Sequence, residues 1–184
     1  MACTDNGDGA GPAASSPLTV VVATVRTSAA PATGAADGVI SCVDAITATL
    51  RPDANARVVL GQVIVAGGTG DRALQTVRSG EVEPSQRLWS KTGLLTYDDR
   101  EVVLEVPQGQ SYWIGWGNPS VPSKRLIIQG CSGAAWTVFV GGFWTDAPKC
   151  VDLLVRTGGQ QATVAVGLGD PCPGQSPPGA YTER

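Results

Sequence analysis

The sequence predicts an all-β domain, an antiparallel β-sandwich stapled by disulfides, and three observations predict it. Short runs rich in Val, Ile and Thr recur from Leu18 onward, separated by Gly, Pro and Asp, as half-buried strands are by their turns. No stretch longer than about seven residues keeps a clean helical period. Cys42, Cys131, Cys150 and Cys172 lie far apart and never as C-x-x-C, and the chain contains no histidine to complete a zinc site with them. Two disulfides formed in an oxidising compartment are the reading that fits, with three connectivities open. The alternative is buried, reduced thiols.

Taken in order, residues 1–17 are a tether of Gly, Ala, Ser, Asp and Pro that cannot bury enough apolar surface to order itself. Residues 18–184 form a single domain, with 178–184 a loose tail. Thr19–Val25, TVVVATV, is the first candidate strand. Ser28–Gly38 is broken by Pro31 and Gly34 and reads as a loop; it leads into Val39–Leu50, which carries Cys42. Arg57–Ala66, RVVLGQVIVA, is apolar enough for a strand covered on both faces, and Asp71–Val77 for one short helical turn. In Glu101–Val106, residues Val102, Leu104 and Val106 share one face and the glutamates the other. Arg125–Gln129 and Ala135–Val140 supply two further strands. Immunoglobulin-like and jelly-roll-like connectivities both fit this string of elements.

The sharpest inference concerns the last hairpin. With Gly158-Gly159 as a two-residue loop, Val155 faces Ala162, Leu153 faces Val164 and Val151 faces Val166. A slip of one residue would bring Asp152 and Arg156 into the core. The same register sets Cys150 opposite Gly167, whose missing side chain leaves room for a disulfide to arrive from a neighbouring segment.

Charge and composition exclude several functions. Acidic residues outnumber basic ones, 16 to 13, so nothing draws the chain to phosphate backbones; nucleic acid is not an expected partner. Without histidine there is no Ser-His or Cys-His nucleophile. No apolar run approaches the length of a spanning helix, so a membrane enters only through a lipid anchor. Cys3 is its one candidate: a small residue before a cysteine, followed by a polar tether, looks like the mature start of a bacterial lipoprotein. The other reading is a stray cysteine in a tail.

The remaining motifs fail. Gly68-Thr69-Gly70-Asp71-Arg72-Ala73 has dinucleotide-site spacing but neither the long helix nor the acidic ribose ligand such a site needs. Lys91-Thr92-Gly93 lacks a serine nucleophile in the S-x-x-K context, and Gly130-Cys131-Ser132-Gly133 lacks a base. Asp5 and Asp8 do not complete a calcium loop, whose last ligand would fall on Ser16. No metal or other cofactor is expected. A hydrolase using paired carboxylates would draw on Asp98, Asp99, Glu101 and Glu105, although Asp98-Asp99 reads as a turn and the glutamates as a solvated face.

One cluster bears on binding. In SYWIGWGNP, Tyr112, Ile114 and Trp116 lie on one face of a strand and Trp113 on the other. If Trp113 is core, Tyr112 and Trp116 are the candidate ligand contacts, spaced for stacking on sugar rings. If the trio is core, Trp113 alone is outside. Trp136 and Trp144 join either set.

Gly141-Gly142-Phe143, Cys150-Val151, Leu153, Val155-Arg156 and Gly167-Leu168-Gly169 before Cys172 resemble a group of small, uncharacterised actinobacterial exported proteins, over roughly the last 50 residues. The resemblance implies an envelope or extracellular setting and no activity. The expected function is a non-catalytic surface or secreted module that binds an envelope protein or glycan. A self-associating structural component is the first alternative, and the carboxylate hydrolase the second.

Overall fold

The structure, a computed structural model, describes residues 38–46, 52, 56–67, 70–132 and 136–179. The tether, Cys3 and the candidate strand Thr19–Val25 lie outside the described residues, as do Gly68 and Thr69. Ten strands are present among those described: β1 (Gly38–Ile40), β2 (Val63–Val65), β3 (Val77–Arg78), β4 (Leu88–Tyr97), β5 (Val102–Glu105), β6 (Tyr112–Trp116), β7 (Arg125–Ile128), β8 (Trp136–Thr145), β9 (Lys149–Thr157) and β10 (Gln160–Leu168). They form two five-stranded sheets. One has the order β1-β7-β5-β9-β10; the other runs β2-β4-β8-β6, with β3 beside β4.

Inward side chains of both sheets make one core that includes Leu94, Leu104, Tyr112, Trp116, Phe139, Phe143, Leu153 and Leu168. A buried polar link crosses it. The Thr157 hydroxyl of β9 lies 2.7 Å from Gln62 Oε1, in the turn just before β2, and 2.9 Å from the Glu101 carbonyl.

The last hairpin has the register the two glycines dictate: Val155 pairs with Ala162, Leu153 with Val164, Val151 with Val166 and Cys150 with Gly167. Both loop glycines have positive φ, 54° and 77°, which a side chain would resist. A Cβ at Gly167 would come within 2.7 Å of the Asp170 carbonyl oxygen, so this glycine lets the 170–175 loop fold back. That loop carries Cys172, and Cys150–Cys172 is bonded. The second disulfide is Cys42–Cys131.

The expected disulfide-stapled β-sandwich is the fold formed, and two element assignments within it are corrected. Among its named strand pairs only β1 with β7 is parallel. The pairing of Ile40 with Ile128 brings the chain just beyond both strands to the same end, where Cys42 and Cys131 meet. Arg57–Ala66 is not one strand: Leu60 and Gly61, at φ 50° and 70°, turn the chain back so that Val59 bridges Val63. Only Val63–Val65 remains a strand, and it is buried on both faces. Asp71–Val77 makes no helical turn. Leu74 bridges Leu168 instead, its N–H donating to the Gly167 carbonyl while its own carbonyl accepts from Gly169.

Candidate functional site

The two outer faces of the sandwich differ in chemistry. Outside the first sheet, Arg156 pairs with Glu105 at 2.9 Å and donates to Gln161, among other solvated side chains. Outside the second lie aromatic rings. Trp89 on β4 pairs with Trp144 on β8, and Trp144 pairs with Trp113 on β6; residues paired across strands share a face. Three tryptophans therefore stand in one row across three strands, and Val77 on β3, opposite Trp89, extends it.

The next row is built to receive the rings. Gly142 lies opposite both Lys91 and Gly115. A Cβ on Gly115 would sit 2.6 Å from Trp144 Cζ3, and one on Gly142 would sit 3.1 Å from Trp89 Cη2. The indoles of Trp144 and Trp89 thus lie down over bare backbone, with their ring centres 4.1 Å apart. Trp144 is buried; Trp89 and Trp113 are half-buried. Trp113 is fixed from two sides: its Nε1 donates to Ser85 Oγ at 3.1 Å, and Lys124 Nζ stands 4.3 Å from its ring centre. Ser85 belongs to a short 3-10 turn, Pro84–Gln86, that follows β3.

Lys124 also donates to the carbonyls of Gln110 and Tyr112. Burial, and then the charge of Lys149, lower its pKa from the ordinary lysine value. Beside the row, Arg78, Gly80, Glu81, Arg87, Leu88 and Asp146 line a groove of about 430 Å³. Asp146 is paired with Lys149, whose hydrogen bond holds its carboxyl below the usual range. At the far end of the same sheet face, Tyr97 and Trp136 pair with ring centres 5.3 Å apart. Four of the five tryptophans are on this face.

The candidate contacts Tyr112 and Trp116 are on the other side. They are 0% and 2% exposed, part of the sandwich core, and so present no ring to a ligand. The Tyr112 hydroxyl donates to the Asp152 carbonyl, Trp116 Nε1 donates to the Thr92 carbonyl, and Phe143 packs on both rings. The trio is core and Trp113 is outside.

Two of the candidate carboxylates, Asp98 and Glu105, are held in contacts of their own. Asp98 occupies a left-handed turn position at φ 77° and accepts from the Asp99 N–H at 2.7 Å. That bond is the main reason its pKa is lowered. Glu105 is engaged by Arg156. The Thr92 hydroxyl of the Lys-Thr-Gly tripeptide donates to the Ala66 carbonyl, between neighbouring strands. Among the described residues no three His, Cys, Asp or Glu side chains stand together to hold a metal ion, and no helix is long and apolar enough to cross a membrane.

Sequence reasoning missed the row because its members come from three strands whose pairing no local pattern encodes. The one available signal was Gly115 and Gly142, each two residues from a tryptophan. No family model matches the chain, and no curated protein or solved structure matches it.

Proposed function

We propose that this protein is a non-catalytic binding module of the cell surface or the extracellular space, and that it contacts a glycan through the outer face of β4, β8 and β6. The observation that carries the reading is the Trp89–Trp144–Trp113 row. Apolar side chains stabilise a sandwich when they point inward, and the half-buried Trp89 and Trp113 point away from the core between the sheets. The half-buried indoles of Trp89 and Trp113, fixed beside a glycine row, offer the apolar face of a pyranose ring a stacking partner with little side-chain ordering left to do.

The setting is also a proposal. Two disulfides support an oxidising compartment, and the C-terminal resemblance to actinobacterial exported proteins agrees with it. In this reading Cys3 carries the lipid that holds the module on a membrane, tested by incorporation of radiolabelled lipid into the full-length precursor and its loss in Cys3→Ser.

The test of the binding reading is tryptophan fluorescence across a panel of soluble glycans. Saturable quenching or a blue shift that Trp113→Ala abolishes is expected. Absence of any response across neutral and acidic glycans would reject it. Self-association is a second reading, favoured by Val39, Val43 and Ile46, which stand 60%, 90% and 60% exposed on and just after the edge strand β1. Sedimentation that depends on protein concentration, without any glycan response, would select it.

A further inference from the structure

The charges around the indole row say which class of glycan it takes. On the outer face of β4, Lys91 follows Trp89 by two residues, about 7 Å along the strand, and Arg87, which ends the 3-10 turn just before β4, lines the adjoining groove. Both cations are exposed, and among the described residues neither has an ion-pair partner. Lys124 stands over Trp113 at the other end of the row, and Arg78 joins Arg87 in the adjoining groove.

The nearest acids do not cancel this. Asp146 is paired with Lys149; Glu81 in the groove and Glu83, whose carboxylate accepts from Ser85 Oγ at 3.2 Å, keep their charge. On a chain of net charge −3, the cations Arg78, Arg87, Lys91 and Lys124 around the half-buried indoles outnumber the acids Glu81 and Glu83. A neutral sugar needs the rings alone; unpaired cations beside them gain only from a ligand with negative charge.

We infer that the row binds an acidic glycan of polyuronate type, its pyranose faces on Trp89 and Trp113 and its carboxylates reaching Arg87 and Lys91. This rests on the glycan reading of the row and narrows it. Single-stranded nucleic acid also joins stacking bases to negative charge, but Trp89 and Trp144 are closed on each other, ring centres 4.1 Å apart, and leave no slot for a base between them.

The experiment compares oligogalacturonate with the same oligomer after reduction of its carboxyl groups, which leaves the backbone and removes the charge. Binding of the charged form about ten-fold tighter, weakening as salt rises, is expected. In Arg87→Gln/Lys91→Gln the preference should disappear while the neutral oligomer binds as before. Unchanged near-ultraviolet circular dichroism would show that the double variant keeps its tryptophan packing. Equal affinity for the two oligomers would overturn the acidic class and leave the glycan reading standing. Binding of neither overturns both, and tighter binding of oligo(dT) overturns the inference in favour of single-stranded nucleic acid.

Discussion

Tyr112 shows at the level of one side chain how the core is specified. Its ring is fully buried and its hydroxyl donates to the Asp152 carbonyl across the sandwich. Burial, reinforced by the charge of Asp152, pushes the phenol far above its ordinary value of 10.0. The folded state therefore holds a proton that the unfolded chain gives up near that value, so the contribution is complete below pH 10 and falls as pH rises further. Tyr112→Phe should cost about 1 kcal/mol at neutral pH and flatten the loss of stability in alkali, as read by urea unfolding across a pH series. An unaltered alkaline slope would show that Tyr112 is not buried. Gly115 makes the opposite case, in which the missing atom matters. In Gly115→Ala the new methyl meets Trp144 and the Val121 carbonyl at 2.6 and 2.7 Å, so roughly 1–3 kcal/mol should be lost, with a changed near-ultraviolet signal from the displaced indole. The inward and outward sets within Tyr112–Trp116 were legible as two alternatives, because alternation divides a strand's residues into faces. Which face is inner depends on the opposite sheet, which lies beyond the pattern itself.

At the level of the element, legibility follows sequence separation. The β9–β10 hairpin could be paired residue by residue because two glycines fix the loop and a slip would bury Asp152 and Arg156. β4 could not, since its inner face carries Ser90, Thr92 and Thr96 while Trp89, Leu95 and Tyr97 point outward, the reverse of the usual amphipathic strand. Its polarity makes sense only once β8 and the core are placed. The disulfides divide the same way. Cys150–Cys172 spans 22 residues, and its place opposite Gly167 follows from the hairpin; Cys42–Cys131 spans 89 and depends on a parallel pairing nothing local announces. Chain entropy predicts that losing the long link costs about 4.5 kcal/mol and the short one about 3 kcal/mol. Denaturant unfolding of Cys42→Ser/Cys131→Ser and of Cys150→Ser/Cys172→Ser should keep that order, and the reverse order would place the larger constraint at the C-terminal loop.

Across the whole molecule, the two sheets share one core and differ on their outer surfaces, one laced with polar pairs such as Arg156–Glu105, the other ringed with indoles and cations. The proposed binding role of the second sheet rests on that asymmetry. It was invisible in composition, where five tryptophans among 184 residues give no hint that four face outward together. The most direct test follows the five indole N–H resonances in a nitrogen–proton correlation spectrum, during titration with the oligosaccharide that quenches fluorescence most strongly. The resonances of Trp89, Trp113 and Trp144 should move together and saturate at one affinity, while Trp116 stays still inside the core. Movement of Trp116 or of Trp136 alone, with the row silent, would contradict the account.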